Sequence, residues 1–225
     1  MAASHCRTRP RARSLKPLEI HKGVAAPLLQ ANVDTDAIMP SREMRRVSRS
    51  GLADGLFANW RYLDPERRIP DPDFILNRPE RTGASILLGG PNFGCGSSRE
   101  FAVWALAEFG IRVILAPGFN PVFQKNCVAN GLLPAQAPLP AIRSLAAWSD
   151  RDPQRNRLTA NVRTLKIEGS GKRIPFVIAR GQRLRLLQGL DDIAMTDQRT
   201  AAIEAFERQR FAEQPWVCAW INRRA

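Results

Sequence analysis

An apolar run, Ala84-Ser85-Ile86-Leu87-Leu88, enters the turn Gly89-Gly90-Pro91-Asn92-Phe93-Gly94-Cys95-Gly96-Ser97-Ser98-Arg99-Glu100, and a helical pattern over 101–109 leaves it. A short apolar run bounded by turn residues reads as a buried strand. Val103, Trp104, Leu106 and Ala107 then fall on one stripe at helical spacing. Gly110 sits where a helix C-terminal cap is expected, and Ile111–Ala116 is a second apolar strand. Strand, helix and strand this close together make a β-α-β unit, with parallel strands and a right-handed crossover. The chain is therefore of the α/β class, and its other segments must fit around this unit.

The turn itself is suited to an anion. A helix leaving it has first backbone N–H groups without intrahelical partners, and their dipoles favour negative charge. Arg99 adds a planar fork that matches a carboxylate or phosphate. The plainer alternative is a capping box, in which Ser97 caps the helix and Glu100 bonds back. Gly90, Gly94 and Gly96 call for a further reason, such as close approach of backbone to a ligand. Arg99 stands where a dinucleotide fingerprint requires glycine, and no Gly-Lys-Ser/Thr follows as in a P-loop. The spacing points to a carboxylate rather than a nucleotide.

Asn92-Phe93-Gly94-Cys95-Gly96-Ser97-Ser98-Arg99-Glu100, with Trp104-Ala105-Leu106, Gly110-Ile111-Arg112 and Asn130-Gly131-Leu132-Leu133-Pro134, resembles the small subunits of 3-isopropylmalate dehydratase, the swivelling domain of the aconitase superfamily. Asn32-Val33-Asp34-Thr35-Asp36-Ala37-Ile38-Met39-Pro40, the stretch 48–63 and Leu186-Leu187-Gln188-Gly189-Leu190-Asp191 are similar to further motifs of that family. The resemblance implies a swivelling β/β/α three-layer domain, with mixed strands and flanking helices, over 18–212. A basic, disordered extension is expected over 1–17 and a C-terminal tail over 213–225.

The resemblance also implies half of a hydro-lyase of leucine biosynthesis. Such enzymes interconvert 2- and 3-isopropylmalate by dehydration and rehydration, with a [4Fe-4S] cluster held by a separate large subunit. By resemblance Ser97 is the general base, Ser98 and Arg99 bind the carboxylate of the small diacid, and Arg42, Glu43, Met44 and Arg45 occupy the specificity loop. A solvated basic loop is the plain alternative for that last segment. Asp34 and Asp36, two residues apart, would repel an anion. They are read, with Thr35, as loop-supporting: they accept backbone N–H bonds or hold an arginine, unless the segment is an ordinary Asx-turn. Relatives commonly carry an aromatic and a leucine at Glu43 and Met44, and a histidine at Phe101. These departures bear on the substrate's side group more than on reaction class. They leave open a related hydro-lyase for another hydroxy-diacid, or a non-catalytic basic binding protein.

Composition sets the outer limits. The 225 residues suit one domain with a real core, and the apolar fraction of 44% is ordinary for a globular protein. No apolar run is long enough to cross a bilayer. The net charge of +13 admits nucleic acid, an anionic membrane surface or an acidic partner, but the basic residues are scattered and Tyr62 is the only tyrosine, so no stacking platform is apparent. The charge reads as surface character and attraction for anionic substrates. Arg7, Arg9, Arg11, Arg13 and Lys16, with no acid among them, suit either an organellar transit peptide or a disordered extension; Pro10 and the absence of an apolar face favour the extension. Cys6, Cys95, Cys127 and Cys218 have neither metal-ligand spacing nor a secreted framework, so no metal is expected on this chain and a reducing cytoplasm is the default. Cys95 as a nucleophile would need a base, and His5 and His21 are remote in sequence. It reads rather as a small residue filling the turn, and Cys127 as core.

Elsewhere, Leu18–Leu29 suggests a short strand with Gly23 and Pro27 at turns or edges, and 64–79 reads as loop. A helix is expected from Asn120 to Ala129, and a β-hairpin over Leu158–Ile178 turning at Gly169-Ser170-Gly171. A last helix from Asp197 to Phe211 would turn Ile203 and Phe206 inward.

Overall fold

The computed structural model describes residues 15–45 and 50–216. Residues 15–189 form one compact unit, and residues 190–216 belong to another. The boundary at Gly189 falls inside the 18–212 span expected for the domain. Of the expected basic extension, residues 1–14 lie outside the described residues, as does the tail after Trp216.

The first unit opens with β1 (Ile20–Leu28), α1 (Thr35–Ile38), a 3-10 turn (Ser41–Arg45), α2 (Ala58–Arg61), β2 (Tyr62–Asp64) and β3 (Ile69–Pro70). Then come β4 (Ala84–Gly89), α3 (Glu100–Phe109), β5 (Val113–Ala116), α4 (Pro121–Ala129), β6 (Leu133–Gln136) and α5 (Leu139–Ser149). It ends with β7 (Leu158–Asn161), β8 (Lys166–Gly169), β9 (Lys172–Pro175) and α6 (Arg180–Gln188). The second unit contains α7 (Asp192–Asp197) and α8 (Thr200–Glu213).

The main sheet has the order β6-β5-β4-β1-β7-β8-β9 among the described residues. β6, β5, β4 and β1 are parallel, and β1, β7, β8 and β9 are antiparallel. The β4-α3-β5 unit read from the sequence is the parallel half. β1 joins the halves: Ile20–Gly23 pair with β7 and Val24–Leu28 pair with β4, with a register shift in the β4 pairing between Val24 and Ala25. The expectation of a short strand interrupted at Gly23 and Pro27 is therefore corrected, because both residues lie inside this central strand. Pro27 is tolerated there because pairing with β7 has ended at Gly23, which leaves one side without a ladder. The expected hairpin over 158–178 is a three-strand meander, with Ser170 (φ 57°) and Gly171 (φ 69°) in the left-handed pair that closes a two-residue turn.

Two apolar clusters fix the sheet between layers. On one face Ala26, Leu28, Leu87, Ile114 and Ala116 meet Ala102, Val103 and Leu106 of α3. On the other, Ala25, Ile86, Leu88, Val113 and Leu115 meet Ile142 and Leu145 of α5, together with Leu158, Ala160 and Ile167 of the antiparallel strands. Residues from both halves of one sheet share this second core, so the sheet is curled. Full burial of each Val, Leu or Ile among them contributes roughly 1.5–3 kcal/mol. The fold is the mixed-strand sheet with flanking helices expected from the sequence. In the second unit α8 has no buried residue, and Phe206, expected inward, is 59% exposed. The Arg210 guanidinium covers its ring at 5.9 Å.

Candidate functional site

Two loops leave adjacent parallel strands at their C-terminal ends, one after β1 and one after β4, and they are sewn together by backbone. Asn32 N donates to Pro91 O (2.9 Å), Gly94 N to Val33 O (2.7 Å) and Thr35 N to Cys95 O (2.9 Å). Asn92 Nδ2 adds a bond to Asn32 Oδ1 at 2.9 Å. The approach requires glycine at two points. A Cβ on Gly90 would stand 2.1 Å from Gln30 O, and one on Gly94, at φ +72°, would lie 2.2 Å from the Phe123 ring. Phe93 is fully buried beneath the turn against Phe119 and Phe123. The glycines thus serve loop against loop and loop against core.

The capping-box reading of Ser97 and Glu100 fails. α3 begins at Glu100, its cap residue is Arg99, and no side chain bonds the cap position. Gly96, Ser97 and Ser98 precede the helix and are exposed. Ser97 is held instead by Thr35, which is 1% exposed. The Thr35 hydroxyl receives Ser97 N–H at 3.1 Å, donates to Ser97 O at 3.2 Å, and lies 3.1 Å from Ser97 Oγ. A hydroxyl has one proton and two lone pairs. When that proton goes to the carbonyl, Thr35 accepts both the amide and the hydroxyl proton of Ser97, and the Ser97 Oγ lone pairs remain open to solvent.

Arg99 is oriented in the same way from the 30s loop. Its Nη1 donates to Asp36 Oδ1 and, at 3.0 Å, to Ser41 Oγ, which itself donates to Asp36 at 3.2 Å. Its Nη2 and Nε have no partner among the described residues. Asp34 does the other work available to a carboxylate there, capping α1 by accepting from Ala37 N at 2.6 Å. The Ser98 carbonyl is tied to Asn126 Nδ2 at 3.4 Å. Ser97, Ser98, Arg99, Asp34, Thr35 and Asp36 are therefore one cluster.

The segment 41–45 is joined to it through Ser41, but Arg42 and Glu43 are already engaged. Glu43, with its side chain 11% exposed, pairs with Arg68 and with Arg42 Nε at 3.4 Å, and Arg42 also donates to Asn59. Arg68 lies over the Tyr62 ring at 5.1 Å, so β2 and β3, the latter within the 64–79 stretch expected to be loop, brace the turn. Met44 packs against the first core. Arg45 closes the turn, and its side chain lies outside the described residues. Phe101 also faces inward, tilted against Trp104 with ring centroids 4.9 Å apart.

The sequence reading did not single out Glu108, Asn126 or Ser41. Glu108 accepts from Gly51 N (2.6 Å), Leu52 N (2.5 Å) and Ala53 N (3.1 Å), anchoring the chain where it returns from the 41–45 segment. Burial raises its carboxyl, but these three bonds more than offset that and hold it below the ordinary value. Burial, and then Asp34, pushes the Cys95 thiol up, so a thiolate is disfavoured there. Cys127 is wholly buried in the core. Among the described residues no three His, Cys, Asp or Glu gather as metal ligands, and no helix is long and apolar enough to cross a membrane.

An exposed hydroxyl with a buried hydroxyl behind it, beside a half-engaged guanidinium at a helix start, can hold a carboxylate and take up a proton. Residues 15–139 match the aconitase C-terminal domain family. The small subunit of 3-isopropylmalate dehydratase from Cupriavidus necator is 54% identical over 204 residues, covering 90% of this chain and 98% of that protein. The corresponding subunit from Bacillus licheniformis is 43% identical, over 87% and 97%. The crystal structure of 3-isopropylmalate dehydratase from Methanocaldococcus jannaschii superposes with a TM-score of 0.60 at 26% identity, over 83% of this chain and 98% of that one. On the shared fold, the family match and the near-complete overlap with these relatives, the chain belongs to the 3-isopropylmalate dehydratase small-subunit family of aconitase-type hydro-lyases.

Proposed function

We propose that the chain joins an iron-sulfur large subunit in the cytoplasm to isomerise 2- and 3-isopropylmalate, a step of leucine biosynthesis. The observation that carries the proposal is the Thr35–Ser97 and Asp36–Arg99 pairing, which sets a hydroxyl and a guanidinium side by side on an open loop. Of the described cysteines one is sealed in the core and the other stands alone in the turn. The cluster's ligands would come from the large subunit, and the cluster would supply a Lewis acid to the departing hydroxyl.

The residues of this chain do the rest. Arg99 binds a substrate carboxylate through the N–H groups that Asp36 and Ser41 leave unused, and Ser98 adds a hydroxyl. Ser97 Oγ takes the proton from carbon. A serine alkoxide is unfavourable in water, so its charge must be met locally. Thr35, 3.1 Å away, turns its proton from the Ser97 carbonyl to the alkoxide, and the start of α3 favours the same charge. Glu43 is neutralised by Arg68 and Arg42, which removes a repulsive charge from the loop expected to meet the substrate's side group.

Ser97→Ala, co-purified with the large subunit, is expected to keep assembly and lose turnover in both directions. Near-normal rates in an intact complex would reject Ser97 as the base. Turnover of several hydroxy-diacids by the parent complex, with isopropylmalate not preferred, would assign the chain to a related hydro-lyase instead.

A further inference from the structure

His21, Ser85 and Arg112 lie together at the other end of the parallel strands from the Ser97 loops. His21 Nε2 and Ser85 Oγ are 2.9 Å apart across the seam between β1 and β4. Gly23 makes room for them, since a Cβ there would stand 2.0 Å from Ser85 Oγ and 3.1 Å from His21 Nε2. One strand further, Arg112 N donates to Ser85 O at 2.9 Å. The Arg112 guanidinium extends beside Gly131, whose Cβ, if present, would be 3.9 Å from Nη1 and 4.0 Å from Nη2. The starts of four adjacent strands thus contribute an imidazole, a hydroxyl, a guanidinium and a bare glycine.

The cluster contains no acid. Arg61, Arg81, Arg99 and Arg183 are likewise withdrawn from solvent, and each has an acceptor: Asn77 and Ala53 O, Asp150 and Ala25 O, Asp36, and Val162 O. Arg112 is half-buried and its guanidinium has none among the described residues. Burial pushes the Arg112 guanidinium below its ordinary value, with no carboxylate opposing. His21 is pushed down by burial first and then by Arg112 and Lys16, the two charged groups that act on it, both cations. A partly desolvated cationic group without a counter-charge is costly unless something neutralises it.

We propose that His21, Ser85 and Arg112, with exposed Lys16 beside them, form a second anion site that takes a small, doubly charged oxyanion such as phosphate or a dicarboxylate. Arg112 supplies a planar fork, Ser85 a hydroxyl and protonated His21 an N–H. The site does not depend on the assignment of Ser97 or on a partner subunit. β4, about 20 Å long at the usual rise per residue, separates it from the Ser97 turn.

The test is a ring-resonance titration of His21 by NMR in the full chain carrying His5→Gln, which removes the second histidine signal. Inorganic phosphate, and separately malonate, replaces chloride at constant ionic strength, so simple screening is matched. The expected result is a rise in the His21 midpoint of roughly one unit with at least one of these anions, a tenfold preference for the protonated site. Which anion gives the larger rise identifies the oxyanion class. Arg112→Gln is expected to abolish that response while raising the midpoint in chloride, because a neighbouring cation is gone. A midpoint unmoved by both anions in the parent chain, or a response that persists in Arg112→Gln, would overturn the site.

Discussion

Thr35→Val separates catalysis from stability at the Ser97 turn. Valine keeps the buried shape of threonine and removes only the hydroxyl that meets Ser97 N, O and Oγ at 3.1, 3.2 and 3.1 Å. Ser97 is exposed, so water can re-solvate its amide and carbonyl, and the loss of stability should be near that of one ordinary hydrogen bond, about 0.5–1.5 kcal/mol. The alkoxide stage is different. Removing one donor from a developing oxyanion costs about 2.7–4 kcal/mol, or 10²–10³ in kcat. In the complex with the large subunit, kcat should therefore fall by that factor with KM little changed, while the urea midpoint of the isolated chain moves only slightly. Thr35→Ser, which retains the hydroxyl, should recover most of the rate. Undiminished kcat in Thr35→Val, with Ser97→Ala inactive, would show that Ser97 loses its proton without help from Thr35.

Asp36→Asn keeps an acceptor for Arg99 but removes the charge. Because Asp36 is 55% exposed, the pair is worth at most about 1 kcal/mol, so KM should rise no more than about fivefold with kcat preserved. A collapse of kcat would place Asp36 in the chemistry. Glu108 gives a pH prediction. Its carboxyl is depressed in the folded chain, so its contribution is present above the unfolded value of about 4.5 and is lost as pH falls through the folded value below that. Protection of the Gly51, Leu52 and Ala53 amides, taken relative to their intrinsic exchange rates at each pH, should fall on acidification below 4.5, and Glu108→Gln should show the lower protection already at neutral pH; unchanged protection in that variant would reject the clamp.

The parallel core was readable in the chain because its signals are local. Ala84–Leu88, the stripe of α3, Gly110 and Ile111–Ala116 each announce themselves within a few residues. β1 was misread because Gly23 and Pro27 break strands in general, and only the neighbours explain them: Ser85 standing over Gly23, and a ladder with β7 that stops before Pro27. The same division runs through the site. Ser97, Ser98 and Arg99 lie in one motif, whereas the partners that orient them, Thr35 and Asp36, are more than sixty residues away and meet them only through the curl of the loops. The S-x-x-E pattern at Ser97 is a local signal that was outcompeted by one such distant contact. Glu43 repeats the lesson, since its partner Arg68 sits on a ribbon that the Pro-, Asp- and Arg-rich composition of 64–79 conceals.

The support beneath the turn can be tested by non-additivity. Phe123, 2% exposed, has its ring 5.8 Å from that of Phe93 and 6.5 Å from that of Phe119, and the Gly94 backbone rests on it. Phe123→Ala should cost about 3–5 kcal/mol, read from the urea midpoint at unchanged slope. Gly94→Ala alone carries two penalties. Its Cβ would lie 2.2–2.7 Å from the ring, and φ +72° strains any L side chain by roughly 1–2 kcal/mol. In the double variant the ring is gone and the new methyl enters part of the space it leaves, so only the backbone strain of Gly94→Ala should persist. The double variant is then more stable than the sum of the single losses predicts, with a coupling in the range of 0.5–3 kcal/mol found for residues in contact. Strict additivity would mean that the turn does not rest on Phe123, and that Gly94 is required only for its left-handed backbone.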